Sequence, residues 1–423
     1  GQLSSCDYLD IVPDERAQES DTWKTEGAVR GYLYSCYGYL PANRTFGNSY
    51  WLAEELTAVT KELFTTFKYG YYSPVSLGFT SNTWSTIWNG IHQCYMFQES
   101  LKQVSNEYVT DEMKKQYLAE SNFLIAYYHF LSMRSYGPTM IIRSVIDLET
   151  PISGFPERSS IDEVVAFINE KLDEAMSEGG LPTTWSGKDY GRATRLAALA
   201  LKSRVYLYAA SPLYNGNTEM YADFRSPLDG RQLIAQEKSQ AKWEISATQT
   251  KYAIDEVEKA KFHLYHDADA GEPSDAKPGL PNKAQRRLRY TNIDNQTGNN
   301  PEIIWADTRN DDYYGIQRRC PPRQTLGGKF AGISMTNCPT LQTIEAFYTK
   351  NGLPINKDKT FDYDERYEYI SAPENCDGNN YEDLVKYANF TPSSDKVMRL
   401  CTDREPRFYA WTTYHNGYFE FGK

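Results

Sequence analysis

A chain of 423 residues sets 45 Lys and Arg against 56 Asp and Glu, a net charge of −11, with the basic residues scattered rather than blocked; that excludes the electrostatic footprint of a nucleic-acid-binding protein. Mean hydropathy is −0.64 and no run approaches the ~18 apolar residues that a spanning helix needs, so no bilayer-crossing helix is expected. An aromatic content of 14%, well spread, excludes a disordered chain.

Tyr is unusually abundant, at 34 residues. It combines an apolar face with a polar tip, and an acidic, Tyr-rich chain is suited to presenting aromatic platforms to neutral polar ligands. Five His and seven Cys with no CxxC pair give no structural zinc signature, and neither metal nor cofactor is expected. Cys6 stands apart. Leu3-Ser4-Ser5-Cys6 is similar to a bacterial lipobox, in which the thiol takes a diacylglycerol; stable anchoring needs more than one acyl chain. The plainer alternative is an ordinary thiol near a chain end. The other six Cys permit disulfides in an exported protein without proving them.

Residues 1–24 read as a lipobox and an irregular tether. Residues 26–40 read as a helix, with Val29, Leu33, Cys36, Tyr37 and Leu40 at helical spacing. Residues 64–83 form an aromatic loop broken by Gly70, Pro74 and Gly78. A helix is expected from Trp84 to about Glu107. Another runs from Thr110, a good N-cap with Asp111 and Glu112 behind it, to Tyr136 before Gly137-Pro138. Its centre is apolar nearly all round and should be buried. Ser160 and Glu163 are spaced as a capping box. Residues 192–210 give a second buried helix, stopped by Ser211-Pro212, and 242–264 another helix. Residues 265–300 read as polar loop. Beyond 301, short apolar stretches such as Glu302–Ala306 alternate with turn residues, and Asn416-Gly417 between Trp411–His415 and Tyr418–Phe421 has the form of a hairpin. The chain stops six residues after that turn, at Lys423, and a further C-terminal segment is expected.

The fold class is therefore mostly α: a tetratricopeptide-like scaffold of antiparallel helix pairs over 25–265, without a strict repeat of about 34 residues, and a loop-rich, partly β region over 266–423 packed on it.

Several stretches in order resemble the SusD/RagB family of outer-membrane glycan-binding lipoproteins. They are SSCDYLDIVP at 4–13, AESNFLIAYYHFLSMRSYGP at 119–138, GRATRLAALALKSRVYLYAASPLYN at 191–215, NPEIIWA at 300–306, PTLQTIEAFYTKNGLPI at 339–355 and DREPRFYAWTTYHNG at 403–417. The resemblance implies a SusD-like α-α superhelix, a lipid anchor at Cys6 and a place on the cell surface. It also implies a partner, a SusC-like TonB-dependent transporter over which the protein sits as a lid that captures oligosaccharide or polysaccharide. Two positions depart from the family pattern: Glu345 stands where Asp is common, and Tyr95 follows Cys94 where Asn is common.

A pyranose offers a C–H face and a belt of hydroxyls, so binding calls for an exposed flat ring with a few fixed donors and acceptors. Loop aromatics are the candidates: Trp51, Tyr69, Tyr71, Tyr72 and Trp84 around the 64–83 loop, and Tyr313 and Tyr314 with Arg309, Asp311, Asp312 and Arg318 in the 305–319 stretch. Phe67, Phe79 and Trp305 lie among them. The competing reading is core: Trp84 and Trp88 stand at helical spacing, Trp51 lies in a possible helix 50–63, Trp185 fits a cap on the scaffold, and Arg318-Arg319 fits a solvated pair. His92 and His129 fall within helices and read as core histidines.

No GxSxG, HExxH or phosphate-loop motif occurs. Adjacent carboxylates such as Glu54-Glu55 and Asp311-Asp312 point in different directions and do not make the facing pair of a glycoside hydrolase. The chain thus reads as a binding protein rather than an enzyme, with glycan ahead of peptide as the ligand.

Overall fold

The computed structural model describes residues 23–41, 54–58, 73, 75, 79–147, 149–266, 283–293, 300–309, 320, 337–371 and 396–417. The chain divides into two compact units. One is built on 1–40, 83–185 and 192–256, the other on 41–82, 186–191 and 257–423.

The first unit is helical. Helix α1 (Glu26–Tyr37) starts at Thr25, whose side chain accepts from Ala28 N, and buries Val29, Leu33 and Cys36, one stripe at helical spacing. Helix α2 runs over Phe79–Leu101, so it begins five residues before Trp84, inside the expected loop, and ends short of Glu107. Helix α3 (Asp111–Tyr136) has Thr110 as N-cap, accepting from Met113 N, and Asp111 and Glu112 in its first turn, where negative charge favours the helix dipole. It is buried from Ala119 to Ala126 and again from Tyr128 to Met133, as its all-round apolar centre predicts. Gly137, at φ 72, stops it in a conformation that side chains disfavour.

Helix α4 (Ile161–Ala175) carries the complete capping box: Ser160 Oγ accepts from Glu163 N, and Glu163 accepts from Ser160 N at 2.7 Å. Helix α5 (Arg195–Ala210) follows its N-cap Thr194. A single helical turn, α6 (Thr218–Tyr221), precedes α7 (Gln240–Lys259), which ends before the expected residue 264. Helix α3 packs on α1, α4 and α5, and α4 packs on α5. A two-stranded antiparallel ribbon pairs Thr139 with Ser159 and Met140 with Arg158.

Part of the Tyr-rich composition serves this core. The hydroxyls of Tyr95, Tyr128 and Tyr214 donate to the carbonyls of Ile142 (2.6 Å), Cys36 (2.6 Å) and Met133 (3.0 Å), and all three rings are buried. A buried Tyr is tolerated when its hydroxyl finds such a partner.

In the second unit, residues expected as polar loop contain helix α8 (Lys283–Ile293). Its composition is strongly polar, and Ala284, Leu288 and Ile293 are too few apolar residues to stand out from a loop in the sequence. Short helices α9 (Leu341–Ala346) and α10 (Pro406–Trp411) follow. Leu56–Ala58 pairs antiparallel with Asn337–Pro339, and Tyr369–Ser371 with Lys396–Met398. Val397, Cys401 and Phe408 form one buried cluster, against which Phe347, Ile370 and Tyr414 pack.

Arg404, only 3% exposed, staples this unit. Its guanidinium donates to the carbonyls of Leu400 (2.6 Å), Ile344 (2.7 Å) and Phe347 (2.7 Å) and lies 4.7 Å from the Phe408 ring centroid.

The first arm of the expected hairpin at the carboxyl end, Trp411–His415, is corrected, while Tyr418–Phe421 lies outside the described residues. Pro406 at the first helical turn preorganises a helix, so Trp411 closes α10 and residues 412–414 form no strand. The turn itself is present, with Asn416 at φ 62 and Gly417 N–H donating to Tyr414 O at 3.0 Å. Residues 302–306 form no strand either. Among the described cysteines, Cys36, Cys94, Cys320, Cys338 and Cys401 are free thiols.

Candidate functional site

In the helical unit, the start of α2 and the end of α3 bring three half-buried rings together. Trp84 meets Trp88, one turn further on, at 5.2 Å between centroids and 64° between planes. It meets Tyr136, the last residue of α3, at 4.9 Å and 85°. The backbone at Tyr136 is held by Arg158, whose guanidinium donates to the Tyr136 and Pro138 carbonyls at 3.4 and 2.5 Å. Trp88 Nε1 is buried and has no hydrogen-bond partner among the described residues, so its desolvation is not offset by them.

Beneath these rings, Trp88 lies edge-on to His129, 6.1 Å away. His129 is fully buried; its Nδ1–H donates to Ile125 O at 2.7 Å and its Nε2 accepts from Ile142 N at 3.2 Å. Burial pushes its pKa down to about 4, so at neutral pH it is an uncharged structural residue. His92, by contrast, is exposed: the helix is present, but this residue falls on its solvent face and not in the core.

Of the candidates named from the sequence, Trp84 is the one placed in this cluster. Tyr136 was not singled out; its only local signal is its place immediately before Gly137-Pro138. Trp185 closes onto the scaffold, donating Nε1–H to Ala193 O at 2.8 Å, with the Arg192 guanidinium 4.0 Å from its ring centroid.

In the second unit, Trp305 is half-buried and donates Nε1–H to Gly191 O at 2.8 Å. Gly191 has φ 99, and a Cβ there would stand 2.8 Å from Thr308, so only glycine lets the two segments approach. Arg309 is gripped by Asp307, with Nε to Oδ1 at 2.9 Å and Nη2 to Oδ2 at 2.7 Å, and also donates to Pro41 O at 2.9 Å. Much of its donor capacity is thus spent within the fold. Trp51, Tyr69, Tyr71, Tyr72, Asp311, Asp312, Tyr313, Tyr314 and Arg318 lie outside the described residues, as do Cys6 and Cys376. Among the described residues no group of three or more His, Cys, Asp and Glu could hold a metal ion.

Two family models match the chain. Residues 7–207 match one described as "Starch-binding associating with outer membrane", and residues 301–422 match one described as "SusD family". The chain belongs to the SusD/RagB-like family.

Solved structures agree. The SusD-like chain is similar to the protein solved as BT4246, at 28% identity and a TM-score of 0.71, over 93% of this chain and 65% of that one. The selenomethionine form of BT4246 gives 29% and 0.69, over 92% and 65%. A SusD-like protein of Bacteroides fragilis (BF3747) aligns over 94% of this chain and 62% of its own, at 20% identity and a TM-score of 0.60, a likeness of fold. The chain therefore spans 65% of the length of BT4246. No curated protein matches it. No helix among the described residues is long and apolar enough to cross a membrane.

Proposed function

We propose that this SusD-like chain binds an oligosaccharide or polysaccharide at the bacterial cell surface, without catalysis, and passes it to a SusC-like TonB-dependent transporter. The observation that carries the reading is the ring cluster of Trp84, Trp88 and Tyr136 in a chain whose family model is described as starch-binding. Half-buried rings held from below can receive the C–H face of a sugar. The planes stand at 64° and 85° to one another, which suits a curved α-linked chain better than a flat β-linked one.

The candidates outside the described residues belong to the same reading: Trp51, Tyr69, Tyr71 and Tyr72 before α2, and Asp311, Asp312, Tyr313, Tyr314 and Arg318 after Arg309. Cys6 is the proposed site of the diacylglycerol, which would keep the protein at the outer membrane with no spanning helix.

Three of the described carboxylates are held in the ionised form. Hydrogen bonds from Ser160 hold Glu163 below its ordinary pKa, Arg143 does the same for Glu170, and Thr349 with Thr360 for Asp358. A glycosidase acid needs the opposite shift, upward, to carry a proton at neutral pH.

Calorimetry of the purified chain against α-glucans, β-glucans, host glycans and peptides tests the proposal. Saturable heat with one α-glucan class, lost in Trp84→Ala and in Tyr136→Ala, is the expected result. Loss in a Tyr71/Tyr72 or Tyr313/Tyr314 double Ala variant would extend the surface to those loops. Binding to peptides with silence across all glycans would overturn it in favour of a peptide receptor.

A further inference from the structure

Two thiols lie opposite one another inside the helical unit. Helices α1 and α2 run antiparallel where they touch. The Tyr32 ring meets the Phe97 ring edge-on, with centroids 5.5 Å apart and planes at 72°. Gln93 Nε2 donates to Ser35 Oγ at 2.9 Å, so an advance along α1 is matched by a retreat along α2. One turn on from Tyr32 stands Cys36, and one turn back from Phe97 stands Cys94. Residues a turn apart share a helix face, so this register sets the two cysteines against each other. Both are 0% exposed. Helix α3 holds both backbones: Tyr128 donates its hydroxyl to Cys36 O at 2.6 Å and Ser121 Oγ donates to Cys94 O at 3.2 Å.

The chemistry agrees with the register. Burial, and then the neighbouring Cys36 thiol, push the Cys94 pKa well up. Cys36 Sγ donates to Tyr32 O at 3.7 Å. Both groups are therefore protonated in the structure, which holds the pair in its reduced form, and a buried protonated thiol is inert. Of the other described cysteines, Cys320, Cys338 and Cys401 belong to the second unit. Cys36 and Cys94 are thus the pair that the helical unit itself brings together among the described residues.

We propose that Cys36 and Cys94 are joined by a disulfide as the exported chain folds, a covalent staple between α1 and α2. The step rests on the export proposed above, because disulfides persist in oxidising compartments. The oxidant is itself a disulfide, carried by an oxidised dithiol protein or by glutathione. One cysteine thiolate attacks it, giving a mixed disulfide and releasing one sulfur of the oxidant; the second cysteine then displaces the other. One S–S bond forms in the chain, one breaks in the oxidant, and the two thiol protons end on the oxidant's sulfurs. Both thiols are enclosed once α1 has closed on α2, so the exchange precedes that closure. The bridge closes a long loop, which restricts the unfolded chain. It fixes the helix that follows the Cys6 tether to the helix that carries Trp84 and Trp88.

The test is refolding of the full chain, unfolded and reduced, in a buffer of reduced and oxidised glutathione. Remaining thiols are blocked with N-ethylmaleimide in guanidinium, and the peptides are mapped by mass spectrometry without reduction. The expected result is one joined species containing Cys36 and Cys94, separated by reduction and absent in Cys36→Ala and in Cys94→Ala. The bridged chain should also melt at a higher temperature than the same chain reduced, a shift lost in the double Ala variant. Wild-type chain in which maleimide still blocks both cysteines, or in which either is bridged to a different cysteine, overturns the proposal. This mapping needs no ligand and glycan binding is titrated separately, so either proposal can fail alone.

Discussion

Glu120 and Arg192 stand 72 residues apart in the chain and meet in the core of the helical unit, with Arg192 Nε 3.2 Å from one Glu120 oxygen and Nη2 2.5 Å from the other. Their side chains are 0% and 9% exposed. Tyr37 completes the junction: its hydroxyl donates to Glu120 Oε2 at 2.6 Å and accepts from Ala193 N at 2.9 Å. Burial, reinforced by the Glu120 charge, drives the Tyr37 pKa well up, so the hydroxyl stays a donor. This junction ties α1, α3 and the entry to α5 together.

Removing one partner leaves a buried charge unpaired, which costs about 3–5 kcal/mol. Arg192→Ala is therefore expected to lower the urea midpoint of the helical unit strongly, while Glu120→Leu with Arg192→Met costs much less. Equal losses in the single and double variants would show that shape, not charge pairing, sets the stability here.

Gly90 lies on α2 against α3, and a Cβ there would meet the Tyr128 ring at 2.8–3.0 Å. Tyr128 is fully buried and tethered to Cys36 O, so it has little room to yield. Gly90→Ala is expected to destabilise by about 1–3 kcal/mol through overpacking, despite the better helix propensity of Ala. A thermal melt no lower than wild type would contradict this.

His129 makes stability depend on pH. Its folded pKa is about 4 against an ordinary 6.5, through burial. Between these values the unfolded state binds the proton and the folded state does not, so stability is full above pH 6.5 and falls as pH drops toward 4, by roughly 3 kcal/mol at most. Urea midpoints across that window should slope in wild type and flatten in His129→Gln.

Asp358 acts at lower pH. Thr349 and Thr360, then Asn351, donate to its carboxylate and hold its pKa far below the ordinary 3.8. Its contribution is present above about pH 4 and is lost as pH falls through the folded value. Asp358→Asn should be less stable at pH 7, and the gap to wild type should close in strong acid.

The sequence by itself determined the helices whose boundaries are written in neighbouring residues. Thr110 before Asp111, the Ser160–Glu163 box and the Gly137 stop are interactions within one turn, so spacing and residue type suffice to read them. Six motifs in order also carried the family. Helix α8 escaped because its few apolar residues are diluted among polar ones, and the first arm of the hairpin is not a strand because Pro406 and the burial of Phe408 favour helix on that side of a genuine turn. Only the tertiary structure decided which aromatics meet. Nothing local to Trp84 names Tyr136 as its neighbour, nothing in Arg404 names three carbonyls, and nothing in Cys36 names Cys94 as the thiol it meets. Such contacts join residues far apart in the chain, and packing selects them among many partners of equal local chemistry.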